Sequence, residues 1–372
     1  MKFTIDKTII LENLNHVIKG ISTKNVIPVL NGIKFELTNE GLSLTASDSD
    51  LTINSFISQK EIKSIENEGT IVIQSKFILD IIRKLPSDVI NFEVIDRLKI
   101  RIYTDFAQYH LNCLDANDYP NLRMDEHKDP ILLKGETLKS LINQTVFAIS
   151  TQELRPLLTG VNITIAGNLL VFIATDSYRL AKKSIELSHP IDTDVNIVIP
   201  GKNILELEKI ITDDEMVEMH IFNNKVLFKY KNIKFQTNLL SGQYPNTSNL
   251  IPNEFGMEVK LNKDDFSSSV DRAALLIQGK DKNIIRMNIA NQEMTITSYA
   301  SESGKLEEKL KIDTDEGAMI DISFSAKYML EALKTIKDEK IVLLLTNDIK
   351  PIIVKSVEDE SLIQLILPIK TF

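Results

Sequence analysis

The hydrophobic and polar positions of this chain follow two different periods. Short runs such as Ile33–Leu37 and Met294–Thr297 alternate apolar and polar residues, which predicts β-strands with one buried face. Other runs place apolar residues three and four positions apart, as at Ile78 and Ile82, which predicts amphipathic helices. Because helices and strands are interspersed along the whole chain, the pattern predicts an α+β fold.

This pattern occurs three times. A helical run with β-rich runs on both sides surrounds each of Lys76, Lys202 and Lys327, and these lysines are 126 and 125 residues apart. In addition, Ile21–Gly32 and Ile149–Gly160 are identical at six of twelve positions. A period this long exceeds that of solenoid repeats, so it indicates duplicated domains.

We therefore predict three α+β units, spanning 1–127, 128–253 and 254–372. Each unit is expected to open with a helix. These helices are predicted over Lys7–Lys19, Gly135–Ile149 and Lys263–Ile277.

Composition narrows the class of protein. A chain of 372 residues with 43% hydrophobic and 26% charged residues can form several ordinary globular domains. It has no apolar run long enough for a transmembrane helix and no secretory signal at its start. Its single cysteine, Cys113, excludes an internal disulfide framework and a cysteine-based metal site. We expect a cytoplasmic protein.

The distribution of basic residues matters more than the net charge of −9. Each repeated helix carries two basic residues seven positions apart, which places both on one helix face. The pairs are Lys76 and Arg83, Lys202 and Lys209, and Lys327 and Lys334, and the loop residues Lys24 and Arg155 are grouped with them. Because the pair recurs in all three repeats, we predict a positive surface that attracts phosphate groups without sequence preference.

Two other classes of function, an enzyme and a DNA-coating protein, fit the sequence less well than a protein with a positive surface for phosphates. For an enzyme, the carboxylates of Asp48–Asp50 and Asp213–Glu215 are candidates, but the first group lacks the spacing of a calcium loop and is typical of a turn. No histidine lies near a recognisable nucleophile motif, so no catalytic triad can be assembled. A protein that coats DNA nonspecifically would need aromatic stacking platforms and a basic groove, yet tryptophan is absent, aromatics make up 6% and the net charge is negative.

Four segments carry a resemblance to a known family. They are Ala174–Leu180 (ATDSYRL), Tyr244–Asn246 (YPN), Phe324–Tyr328 (FSAKY) and Gln364–Ile369 (QLILPI). Together with the three repeats, they make the chain resemble, over essentially its whole length, the bacterial DNA polymerase III beta subunit family, the beta sliding clamps.

The resemblance implies a head-to-tail homodimer that forms a ring around duplex DNA. Each domain would place two helices on the inner face and β-sheets outside, and the protein would act as a processivity factor without catalysis, cofactor or metal. The positions implied for the dimer interface are Tyr109, Leu111, Leu275 and Leu276.

The resemblance also implies a pocket that binds short peptides of DNA polymerase subunits, the clamp loader and repair proteins. Its implied residues are Leu158, Thr175, Ser177, Tyr178, Arg179, Leu180, Pro245, Leu250, Tyr328, Leu367, Pro368, Ile369 and Lys370. Many family members have histidine at the position of Tyr178 and a basic residue at that of Asn249. We therefore expect the preferred peptide to differ.

Overall fold

The structure, a computed structural model, describes residues 1–22, 25–212, 215–252, 254–277, 283–300 and 304–370. The first nine strands are β1 (Lys2–Asp6), β2 (Gly32–Thr38), β3 (Gly41–Ser47), β4 (Leu51–Ser58), β5 (Ile62–Asn67), β6 (Gly69–Gln74), β7 (Val89–Asp96), β8 (Lys99–Tyr103) and β9 (Gln108–Asn112). Six follow: β10 (Ile131–Lys134), β11 (Gly160–Thr175), β12 (Arg179–Pro200), β13 (Met216–Ile221), β14 (Lys225–Tyr230) and β15 (Ile233–Asn238). The last nine are β16 (Met257–Asn262), β17 (Ile284–Ala290), β18 (Glu293–Ala300), β19 (Gly304–Lys311), β20 (Asp313–Thr314), β21 (Met319–Ser325), β22 (Lys340–Leu345), β23 (Ile352–Ser356) and β24 (Leu362–Ile366). The α-helices of the described residues are α1 (Lys7–Val17), α2 (Ser75–Lys84), α3 (Gly135–Asn143), α4 (Gly201–Glu208), α5 (Lys263–Leu275) and α6 (Ala326–Leu333).

The chain folds into two compact units. The first comprises residues 1–138 and 206–239, and it holds a five-stranded sheet, β5-β1-β7-β8-β9, and an eight-stranded sheet, β10-β13-β14-β15-β4-β3-β2-β6. The second comprises residues 139–205 and 240–372, and it holds a seven-stranded sheet, β11-β12-β24-β23-β22-β16-β20, and a four-stranded sheet, β19-β18-β17-β21. The middle predicted unit is thus divided between the two, and the predicted boundaries near 127 and 253 stay predictions.

The repeated helices bury the face that their spacing predicts. In α2, Ile78 and Ile82 are fully buried, whereas Lys76 and Arg83 are exposed. In α6, Met329 and Leu333 belong to a large apolar core that also contains Phe266 of α5. Burying each such side chain contributes about 1.5–3 kcal/mol, so the apolar stripe fixes which side of the helix remains in solvent.

One predicted helix ends early. The α-helix that begins at Gly135 ends at Asn143 and not at Ile149, and residues 146–148 form a separate 3₁₀ turn. The side chain of Thr145 donates a hydrogen bond of 2.6 Å to the carbonyl oxygen of Leu141. A β-branched residue whose side chain bonds to the preceding turn does not favour extension of the helix, and Val146 is a second β-branched residue directly after it.

The described helices are too short and too polar to cross a membrane. The longest α-helix, α5, has 13 residues, and none of the described helices combines the length and apolar character that a membrane crossing requires.

Candidate functional site

A tight turn between β11 and β12 organises the predicted pocket. The side chain of Thr175 donates a 2.6 Å hydrogen bond to the carbonyl oxygen of Arg179, and Asp176 Oδ1 accepts the backbone N–H groups of Tyr178 and Arg179 at 2.9 and 3.0 Å. Between them Ser177 has φ 77°, a left-handed conformation that is uncommon for serine. The turn therefore projects Ser177 and Tyr178 into solvent while it draws Arg179 inward.

Arg179 lies at the centre of this site and is only 8% exposed. Its guanidinium donates to Asp176 Oδ2 at 3.1 Å and to the carbonyl oxygen of Phe147 at 2.7 Å, and it forms an ion pair with Glu331 of α6. It also lies over the ring of Tyr328, 4.5 Å from the centroid. A buried guanidinium needs this many partners to offset its lost hydration.

A hollow of about 260 Å³ opens beside the turn. Its lining includes Leu158, Ser177 and Tyr178, all predicted for the pocket, together with Leu154 and Arg155. Arg155 donates a 3.3 Å hydrogen bond to Ser177, although we had grouped it with the DNA-facing residues. Sequence reasoning missed Leu154, which is 88% exposed; a large apolar side chain between polar neighbours was the available signal.

The predicted pocket residues differ in exposure. Several are accessible: Tyr178, Pro245, Leu250, Leu367 and Lys370. Leu367 is fixed beside the turn because its backbone N–H donates to the carbonyl oxygen of Tyr178 at 2.9 Å. Pro368, Ile369 and Tyr328 are half-buried, and Thr175 and Leu158 are buried. Leu180 is 2% exposed and packs with Ile353 and Leu365, so its role in this structure is a core contact.

The same turn recurs in the first unit. Ser47 donates to the carbonyl oxygen of Leu51 at 3.0 Å, Asp48 Oδ1 accepts the N–H groups of Asp50 and Leu51 at 3.1 and 2.8 Å, and Ser49 has φ 80°. The backbone N–H of Asn238 donates to Asp50 at 2.9 Å, as that of Leu367 does to Tyr178. This equivalence aligns Leu51 with Arg179, so the buried arginine is specific to the second unit. The expected turn at Asp48–Asp50 is what the structure contains.

The six basic residues of the repeated helices are all exposed. Lys76 and Arg83 both lie within α2. Lys202 lies in α4 and Lys327 in α6, and their partners Lys209 and Lys334 each directly follow the last residue of the helix. Exposed cations on a helix face are able to meet phosphates directly. Lys24, like Asp213 and Asp214, lies outside the described residues.

The predicted interface residues lie at exposed sheet edges or beside them. Tyr109 and Leu111 are on β9, the outermost strand of the five-stranded sheet. In the second unit, Leu275 is 60% exposed, and with Leu276 and Leu306 it lines a shallow hollow next to β19, the outermost strand of the four-stranded sheet. Sequence reasoning missed Phe106, which is 81% exposed in the β8–β9 turn. An apolar side chain at a sheet edge is typical of a contact surface.

Glu126, Glu218 and His220 come together in the first unit, but their arrangement fits an ion-pair network better than a metal site. The Nδ1 atom of His220 accepts the backbone N–H of His127 at 2.9 Å, so the neutral ring carries its proton on Nε2, 3.4 Å from Glu218. A protonated nitrogen cannot bind a metal. Lys229 already lies 2.9 Å from Glu126 and 3.6 Å from Glu218.

The charges of this network shift the pKa values of two groups. Hydrogen bonds from Lys234 and Lys229 lower the pKa of Glu126 to about 2. Burial lowers the pKa of His220, and the neighbouring carboxylates oppose that effect only in part. The network therefore holds the segment around His127 against β13 while His220 is neutral.

Comparison with known proteins assigns the family. Three family models match in succession: the N-terminal domain of the DNA polymerase III beta subunit over residues 1–123, its central domain over 132–246 and its C-terminal domain over 248–370. The beta sliding clamp of Bacillus subtilis (strain 168) is 41% identical over the full length of both chains, and that of Staphylococcus epidermidis (strain ATCC 12228 / FDA PCI 1200) is 37% identical over the same extent.

Solved structures agree with this assignment. The crystal structure of the DNA polymerase sliding clamp from Bacillus subtilis superposes with a TM-score of 0.97 at 41% identity and 100% coverage of both chains. The predicted family and the α+β clamp fold with three domains are thereby confirmed. The chain belongs to the DNA polymerase III beta subunit family, the bacterial beta sliding clamps, which are accessory and not catalytic subunits of the polymerase.

Proposed function

We propose that two copies of this chain join head to tail into a closed ring that encircles duplex DNA and tethers DNA-processing proteins to it. The partners would be DNA polymerase subunits, the clamp loader and repair proteins that carry clamp-binding peptides, all in the cytoplasm. The observation that carries the proposal is the recurrence of an exposed basic pair at one position of three repeated helices, in a chain with a net charge of −9.

The basic pairs suit a surface that slides along DNA. Exposed lysines and arginines attract phosphates through sequence-independent, salt-dependent forces, and each such contact is weak on its own. Contacts of this kind need no fixed register with the bases, so the duplex is able to move past them. Excess acidic charge elsewhere limits adhesion to other nucleic acid.

The two exposed sheet edges suit a head-to-tail seam. A strand such as β9 has one edge without a hydrogen-bonded neighbour in its sheet, and so does β19. Joining β9 of one protomer to β19 of its partner would satisfy both sets of backbone groups and extend each sheet across the seam. The exposed Leu275 and Phe106 would supply apolar contact there.

The hollow beside the Thr175–Arg179 turn suits a short peptide. Leu154 and Leu158 offer apolar surface for an aliphatic or aromatic anchor, and Arg155 and Ser177 offer polar groups at the rim. We therefore assign Arg155 to the peptide site and no longer to the DNA-facing surface. Tyr178, 63% exposed, would close over the anchor from one side.

Retention on circular DNA tests encirclement. A clamp that has been loaded on nicked circular DNA should co-elute with it in gel filtration, and linearising the circle with a restriction enzyme should release the protein. A protein that merely adheres to DNA would remain bound to both forms. Equal retention on circular and linear DNA would contradict the proposal.

A further inference from the structure

The three repeated helices carry an acidic residue at the same position. It lies four residues after the first basic residue and three before the second, and it is Asp80 in α2, Glu206 in α4 and Glu331 in α6. At these spacings all three side chains lie on nearly the same helix face. Each acidic residue is therefore placed to neutralise one charge of its own basic pair.

Only Asp80 and Glu206 pair with a basic residue of their own helix pair. Arg83 lies 3.3 Å from Asp80, and Lys209 lies 2.8 Å from Glu206. In the third repeat, Glu331 pairs with Arg179 from the turn of the pocket. Within the described part of the chain, neither Lys327 nor Lys334 has a carboxylate within ion-pair distance. The basic pair of α6 thus keeps both positive charges, whereas in the pairs of α2 and α4 one charge is neutralised by the acidic residue of the same repeat.

The preference of Glu331 for Arg179 has a physical cause. An exposed pair three residues apart on a helix contributes only about 0.2–0.5 kcal/mol. Arg179 is 8% exposed and held in place by Asp176, the Phe147 carbonyl and the Tyr328 ring, so it meets Glu331 with little loss of side-chain entropy and with less screening by water. The equivalent residue of the first unit, Leu51, offers no such partner.

We propose that Arg179 is a positioning residue for two surfaces. It holds the turn beside the peptide pocket in place, and it neutralises Glu331, which makes the α6 face the most positive of the three helix faces towards DNA. The inference rests on the proposed function, because it takes the basic faces to meet the duplex. The ion pair between the buried Arg179 and the half-buried Glu331 would thus link peptide binding to DNA binding.

The salt dependence of DNA binding tests this link. We would measure the affinity of the full-length protein for a short fluorescent duplex by anisotropy, over a range of salt concentrations. Replacing Arg179→Leu, the residue of the equivalent turn, should reduce the slope of log affinity against log salt by about 0.9, as if one phosphate contact were lost. Between about 50 and 200 mM salt, the affinity should then fall roughly three- to fourfold less than in the parent.

A charge-matched pair of double variants separates a local effect from net charge. Arg179→Leu with Glu331→Gln should recover the parent slope, because the uncompensated carboxylate is gone. Arg179→Leu with Glu316→Gln has the same net charge but should not recover it. Glu316 precedes β21, whose seven residues separate it from α6 by roughly 20 Å, more than a Debye length at 0.1 M salt. Peptide binding should be weakened in every Arg179→Leu variant, including the one with a normal slope.

Two outcomes would overturn the inference: an unchanged slope for Arg179→Leu, or equal recovery by both second substitutions. If Arg179→Leu does not fold, as judged by its melting temperature, Arg179→Gln takes its place, with the same expected loss of about 0.9 in the slope and the same two second substitutions. If the parent protein itself shows no salt-dependent binding to the duplex, the proposed function fails as well, and that result is distinct from the others.

Discussion

The substitution Leu275→Asp tests the proposed seam. Leu275 is the last residue of α5, and 60% of its surface is exposed in the single chain. Complete burial of a leucine side chain contributes about 1.5–3 kcal/mol, so covering this exposed part contributes about 1–2 kcal/mol at each seam. A ring of two chains has two seams, and the lost apolar burial alone therefore amounts to about 2–4 kcal/mol.

This loss corresponds to a dimer that is about thirty to a thousand times weaker. Burying an unpaired carboxylate adds to the penalty, so we expect monomers at micromolar concentration. The fold itself should keep its melting temperature, because Leu275 lies outside the apolar core of its unit. Sedimentation equilibrium would show a mass near 42.1 kDa for the variant and twice that for the parent protein.

Leu169→Asp is the matched control. Leu169 is a leucine of comparable exposure, 44%, in the β11–β12 hairpin, which belongs to a different sheet from β9 and from β19. This variant should remain a dimer. An intact Leu275→Asp dimer, or equal dissociation of both variants, would refute the assignment of the seam.

Three further predictions concern the pocket and the histidine network. Deleting Leu367–Phe372 should abolish binding of a polymerase-derived peptide, measured by fluorescence anisotropy, and leave the dimer intact; unchanged affinity would exclude this segment from the pocket. Arg155→Ala should weaken peptide binding and leave the salt slope of DNA binding unchanged, whereas Lys334→Ala should lower that slope by about one contact. Burial lowers the pKa of His220, so the folded chain binds a proton on this ring less tightly than the unfolded chain does. The contribution of the neutral ring to the free energy of unfolding is therefore complete above the usual histidine pKa of 6.5, and it is lost as the pH falls below that value. His220→Gln should flatten the decline of the urea midpoint between about pH 7.5 and 5.5, and an equally steep decline would assign it to other groups.

Much of the fold was predictable because periodicity reports burial directly. The apolar spacing of Ile78 and Ile82 placed α2 and its buried face, and the threefold recurrence of that segment predicted the repeated domains. The end of α3 was not predictable from the same signal, since the apolar pattern continues past Asn143. There a local hydrogen bond from Thr145 to Leu141 decides the conformation, and spacing carries no record of it.

The site was predictable in composition and less so in geometry. The motif around Thr175 identified the turn and its neighbours, but the sequence does not tell whether Arg155 belongs to the peptide site or to the DNA-facing surface, because a positive charge looks the same in either place. Only the folded chain shows that it reaches Ser177. Likewise, Asp80, Glu206 and Glu331 are equivalent in sequence, and what sets Glu331 apart is a partner 152 residues away.

The turn at Ser47–Leu51 keeps the hydrogen bonds of Thr175–Arg179 but lacks the arginine. If the proposed peptide site depends on Arg179, the described part of each chain holds one such site, and the proposed dimer holds two. Partner proteins that carry clamp-binding peptides would then compete for two sites, and one would be able to replace another while the ring stays on the DNA.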